Sequence, residues 1–140
     1  MDRMKEAERS RNMANIRSRD TKPERMVRSQ LHSLGLRFRL HRRDLPGTPD
    51  ILLPKYRLAV FVHGCFWHRH TGCRYASNPK TRVEFWTRKF ESNVARDRRV
   101  RRQLQRLGWK VAVIWECEAS SKRVILRRLG IRAENTYRSA

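Results

Sequence analysis

Residues 63 to 73 read His-Gly-Cys-Phe-Trp-His-Arg-His-Thr-Gly-Cys, and no other stretch limits the possible folds of this chain so strongly. Two of the three cysteines and three of the five histidines fall within these positions. Thiols and imidazoles at such density require either burial or a metal. Arg69, Thr71 and Arg74 in and beside the block are not core residues, which argues against burial. A loop this polar has too little apolar surface to offset its own ordering entropy, so a coordinated ion is expected to hold it closed.

Cys65, His70 and Cys73 form a C-x4-H-x2-C arrangement, and Cys117 lies at the end of a distant apolar run that could complete a four-ligand set. Such a set is coordinatively closed, which makes the expected zinc structural rather than catalytic. Spacing alone leaves His68 competing with His70 for the histidine position. An odd number of cysteines suits a metal better than disulfides, particularly in a reducing compartment. Phe66 and Trp67 sit between the ligands as a hydrophobic tool on a rigid clip.

The partner is indicated by charge. Lysine and arginine number 34 against 13 acidic residues, for a formal charge of +21 and a sequence pI near 11.6. Self-repulsion on that scale calls for a polyanion, and nucleic acid leads. A ribosomal or chromatin-like coat protein or a binder of anionic membranes would explain the charge, but neither needs the 63–73 block. No apolar stretch has membrane-spanning length and the first residues carry no signal-type hydrophobic run, so a soluble intracellular protein is expected.

The chain reads as one domain, residues 21–140, preceded by a basic arm at 1–20 that contacts nucleic acid. Thr21-Lys-Pro-Glu24 is a capping box with proline in the first turn, followed by Met26, Val27, Leu31 and Leu34 at helical spacing. Phe38 and Leu40 alternate; Ile51 to Leu53 and Leu58 to Val62 are apolar strands separated by a turn at Pro54–Arg57. Thr81-Arg-Val-Glu84 predicts a second capping box opening a long basic helix that ends near Leu107-Gly108, with a break allowed at Ser92-Asn93. A strand at 111–115 and a short helix at 121–129 complete an α/β fold with a mixed sheet flanked by helices.

Asp50 opens the strand that should pair with the one ending at His63, so a carboxylate and an imidazole converge at one sheet edge. A carboxylate there suits Mg2+, which prefers oxygen ligands and polarises a phosphate, while His63 and His68 are free to activate water or stabilise charge. Glu24 can reach the same place, although capping already accounts for it.

These pieces together resemble the very short patch repair endonucleases, the Vsr family. The similarity is carried by Arg9-Ser-Arg-Asn-Met13, Arg19-Asp-Thr-Lys-Pro-Glu24, Leu45-Pro-Gly-Thr-Pro-Asp50, His63 to Cys73, Thr81-Arg-Val-Glu-Phe-Trp86, Asn93-Val-Ala-Arg-Asp-Arg98 and Gly108-Trp to Trp115-Glu-Cys117. It implies a restriction-endonuclease-like core with structural zinc on Cys65, His70, Cys73 and Cys117. It also implies Mg2+-dependent nicking on the 5′ side of the thymine in a T:G mismatch left by 5-methylcytosine deamination. By the same resemblance Asp50 and the main-chain carbonyl of Val62 hold Mg2+, His63 and His68 flank the scissile phosphate with His68 as base, and Glu24 lies in the outer shell. Phe66, Trp67 and Trp86 wedge into the base stack, and Met13 inserts from the arm. The setting implied is the bacterial cytoplasm, with a cytosine-5 methyltransferase, a repair polymerase and mismatch-repair proteins as functional partners. Thr71-Gly72 makes the His70-to-Cys73 spacing one residue longer than some members have. The two rival expectations are a non-catalytic zinc-stabilised nucleic-acid-binding protein and a restriction-type nuclease that cuts both strands.

Overall fold

In a computed structural model the described residues are 20–131. The first helix, α1, runs Lys22–Ser33. Thr21 caps it by accepting from the Glu24 amide at 3.4 Å, while the Glu24 carboxylate turns back to the Asp20 amide at 3.1 Å. The reciprocal half of the capping box thus closes one residue earlier than the motif specifies. Val27 and Leu31, one turn apart, are fully buried.

A four-stranded sheet follows, in the order β1 (Arg39–Leu40), β2 (Ile51–Leu53), β3 (Leu58–His63) and β4 (Lys110–Trp115). The first two pairings are antiparallel, and β3 runs parallel to β4 with Leu58 opposite Lys110 and His63 opposite Trp115. A parallel pair needs a long crossover, here supplied by α2 (Val83–Arg106), and α3 (Lys122–Leu129) closes the fold.

Strand alternation divides the core into two layers. Ile51, Leu53, Leu58, Val60, Ala112 and Ile114 meet α1 and α3 on one face. Leu52 and Ala59, with Phe61 and Val111, meet Leu104 and Val100 of α2 on the other. By the same parity His63 falls on the α2 side. The mixed α/β fold expected from the sequence is therefore the one observed, and no helix among the described residues is long and apolar enough to cross a membrane.

Helix α2 differs from expectation at two points. The Thr81–Glu84 capping box does not form, because Arg82 occupies the cap position with φ 52° and no side-chain cap bond, whereas a capping residue needs extended backbone. The helix also passes Ser92-Asn93 unbroken. Asn93 disfavours helix when its amide competes for nearby backbone, but here that amide is buried and donates to the Trp67 carbonyl at 3.2 Å.

The turn that delivers Asp50 lies against α2. Gly47 has φ +72°, and a Cβ built there would collide with the Val100 side chain. Gly47→Ala combines left-handed strain with overpacking and should destabilise the protein by about 1–3 kcal/mol. Urea unfolding tests this; an unchanged midpoint would mean the turn can move away from α2 without loss.

Candidate active site and metal-binding cluster

The ends of β2, β3 and α1 surround a cleft of about 1170 Å³ whose lining includes Glu24, Asp50, Val62, His63, His68 and Asp97. Asp50 follows the fully buried Pro49 and accepts a 2.7 Å hydrogen bond from the Val62 amide, which joins the start of β2 to the end of β3. Burial pushes its carboxyl up to about 7; the Val62 amide opposes this, and the neighbouring Glu24 carboxyl adds to it. A half-buried carboxylate with too little positive charge around it is the kind of group that a hard divalent cation fits.

Glu24 meets both descriptions the sequence allowed. Its carboxylate closes the first turn of α1, the residue lines the cleft, and its Oε2 also contacts Arg28 at 3.1 Å and His41 at 3.2 Å. His41 had no sequence signal beyond being a histidine beside a short strand.

His63 and His68 stack in parallel, with ring centroids 3.8 Å apart and planes 6° from coplanar. Burial, then the adjacent His68, lowers His63 to about 3, so it is neutral across the physiological range. Its neighbour His68 is held at Nδ1 by Asp97 of α2 at 2.6 Å. An Nδ1–H donated to this carboxylate would leave Nε2 as the lone-pair nitrogen, the tautomer a general base requires. Asp97 was missed as a site residue in the sequence. Its signal was present: Asn93 and Asp97 are four apart on an otherwise arginine-rich helix, which puts both on the face turned toward residues 67 and 68.

His70 lies elsewhere, which separates the two histidines that spacing could not. Its Nδ1 is 3.6 Å from Cys65 Sγ and 3.5 Å from Cys117 Sγ. One ligand atom each from Cys65, His70, Cys73 and Cys117 falls within 4.8 Å of all the others, a group of three sulfurs and one nitrogen that could hold a metal ion. Burial, together with the neighbouring thiols, pushes the buried Cys65 thiol up to about 12, so metal binding must displace its proton. The His70 ring stacks on Trp115 at 4.2 Å, and Glu116 accepts from the Cys65 amide at 2.9 Å, fastening the loop to the end of β4. Between His70 and Cys73 the chain makes a turn in which the Cys73 amide donates to the His70 carbonyl at 3.2 Å.

Phe66, Trp67 and Trp86 form one aromatic group, with pairwise centroid distances of 5.4 to 5.6 Å, backed by Phe90 at 5.1 Å from Phe66. Phe66 and Trp67 border the cleft. Trp86 is thus neither an isolated core residue nor remote from the other two. Met13 lies outside the described residues.

Residues 1–74 match the family model for DNA mismatch endonuclease Vsr. The Type II nicking enzyme V.XorIIP of Xanthomonas oryzae pv. oryzae is 53% identical over 128 residues, 91% of this chain and 93% of that protein. DNA mismatch endonuclease Vsr of Escherichia coli is 49% identical over 111 residues, 79% of this chain and 70% of that protein. The Type II nicking enzyme V.NmeAIP of Neisseria meningitidis is 42% identical over 117 residues, 84% of this chain and 83% of that protein. An α/β domain with carboxylates and histidines in one cleft, and relatives of this kind, define a DNA endonuclease. The chain belongs to the Vsr family of DNA mismatch endonucleases.

The Asp50 shift has a sign that stability measurements can check. Its folded-state value of about 7 exceeds the unfolded 3.8, so between those limits the folded protein holds a proton the unfolded chain has released, and stability falls as pH rises. In buffer free of Mg2+ at pH 8, Asp50→Asn should therefore gain up to about 4 kcal/mol, with the gain gone near pH 4. His63 acts oppositely, losing stability as pH falls from 6.5 toward 3, and that acid limb should persist in the variant. A gain that is independent of pH would rule out the carboxyl as its source.

Proposed function

We propose that this protein is a Mg2+-dependent nicking endonuclease that cuts the thymine strand on the 5′ side of the T in a T:G mismatch. The supporting observation is that Asp50, His63 and His68 share one cleft with an aromatic group at its rim, in a chain of the Vsr family. Relatives named as nicking enzymes favour incision of one strand over double-strand cleavage. Relatives that are endonucleases favour this reading over a non-catalytic zinc-stabilised nucleic-acid-binding protein. The core is then restriction-endonuclease-like, formed by residues 21–140, and residues 1–20 act as a DNA-contacting arm with Met13 as its inserting side chain.

Asp50 and the main-chain carbonyl of Val62 would hold Mg2+, which when bound supplies positive charge to the scissile phosphate. His68 takes a proton from the attacking water at Nε2, and Asp97 at Nδ1 stabilises the imidazolium that forms. His63, neutral and stacked on His68, can donate one N–H to a phosphate oxygen without placing a second cation beside the base. Glu24, restrained by Arg28 and His41, places a second carboxyl group beside Asp50 in the outer shell of the cation. Phe66, Trp67 and Trp86 enter the base stack, where a mismatched step opens at lower cost than a paired one.

Zinc on Cys65, His70, Cys73 and Cys117 would be structural. A cytosine-5 methyltransferase would supply the methylated base whose deamination leaves thymine, and a polymerase, with mismatch-repair proteins, would act after incision in the bacterial cytoplasm.

A duplex labelled on each strand and carrying T:G should be nicked only on the thymine strand and only with Mg2+. Asp50→Ala should lose at least about a thousandfold in rate, in line with removal of a metal's charge stabilisation, while retaining binding. Full activity in that variant would sink the mechanism, and cleavage of both strands of matched DNA would favour a restriction-type enzyme.

Metal analysis tests the second site independently. Purified protein should carry one zinc per chain, and Cys117→Ser or His70→Ala should lose it and unfold at lower temperature, whereas His68→Ala should keep it. Zinc retained without His70 but lost without His68 would reverse the assignment.

A further inference from the structure

In a chain with 34 lysines and arginines, a loop arginine would ordinarily be assigned to a DNA phosphate. Arg69 is already engaged within the protein. Its Nη1 donates to the carbonyls of Phe66 at 3.4 Å and Ser77 at 3.0 Å, and its Nη2 donates to the Ala76 carbonyl at 3.1 Å and Asn78 Oδ1 at 2.8 Å. The guanidinium lies 4.2 Å over the Phe90 ring and 5.7 Å over that of Phe66. Its backbone has φ 55°, a left-handed conformation that an L-residue keeps only where its surroundings fix it. Arg69 therefore ties together the loop bearing Phe66 and Trp67, the segment 76–78, and α2 through Phe90.

We propose that Arg69 is a positioning residue for mismatch recognition: it holds Phe66 and Trp67 in place before DNA arrives and does not bind phosphate. The proposal rests on the reading of those aromatics as the base-stack wedge. A wedge that is ordered in the free protein does not lose side-chain freedom on insertion, so more of its contact energy appears as binding at the mismatch. A loosened wedge loses most at the mismatched step, where insertion is deepest, and little on matched DNA, where phosphate contacts dominate. Discrimination should fall while general affinity is kept. Lysine cannot substitute, because a single ammonium neither reaches four acceptors in a planar fork nor lies flat on Phe90.

The test uses the full-length zinc-loaded protein with Arg69→Lys, Arg69→Ala and Trp67→Ala. Binding is measured without Mg2+ to T:G and T:A duplexes over a range of salt concentrations, with 2-aminopurine beside the mismatch reporting unstacking. Arg69→Lys, with zinc content unchanged, should lose about tenfold in the T:G over T:A affinity ratio and most of the fluorescence change. Its salt dependence should match that of the parent. Wild-type discrimination and fluorescence in Arg69→Lys, alongside their loss in Trp67→Ala, would overturn the role of Arg69 alone. Persistence of the fluorescence change in Trp67→Ala would instead remove the wedge reading. A salt slope lower by about one in Arg69→Ala, with discrimination intact, would make Arg69 a phosphate contact. Loss of zinc from Arg69→Lys would reduce it to a loop-folding residue, and if Arg69→Ala does not fold the decision rests on the lysine variant.

Discussion

The parallel pairing of β3 with β4 is the contact on which the rest of the site depends. Its register sets His63 opposite Trp115, so both strands stop at the same level and the segments that follow them meet. From that meeting come the approach of Cys65 and His70 to Cys117, the bond from the Cys65 amide to Glu116, and the stacking of His70 on Trp115. A shift of one residue would turn every side chain of a strand to the opposite face. His63 would then leave the α2 side, and its contact with His68 would be lost.

The whole chain is strongly positive, which draws in a polyanion and tolerates its density of charge. The cleft concentrates acidic residues, with Glu24, Asp50, Asp97 and Glu116 lining it beside the basic Lys22 and Arg96. Asp50 retains its proton to about 7 because burial outweighs the single amide that it accepts from. On the function proposed above, the cleft would gain a cation while the surface around it gains DNA.

Local chemistry that announces itself was legible in the residues. The capping box at Thr21 and the apolar runs of β2, β3 and β4 fixed their own secondary structure. The density of thiols and imidazoles marked the 63–73 block as a candidate metal site without choosing between His68 and His70. The cap of α2 was misjudged because Thr81 and Glu84 satisfy the motif in sequence while Arg82 takes a left-handed backbone that the motif cannot use. Asn93 resembled a helix breaker because its partner, the Trp67 carbonyl, is distant in the chain.

The sequence by itself determined the charge, the α/β pattern, the candidate ligand types and the likeness to Vsr endonucleases, because each follows from residue identity and short spacing. Tertiary structure alone decided which histidine stands with the cysteines and which with Asp97. It also decided that Glu24 reaches the cleft of Asp50 and meets His41 there from behind the lining, and that Arg69 is occupied by the protein's own oxygen acceptors. These outcomes depend on contacts between residues far apart in the chain, and strand register and the placement of α2 set distances that no local spacing encodes.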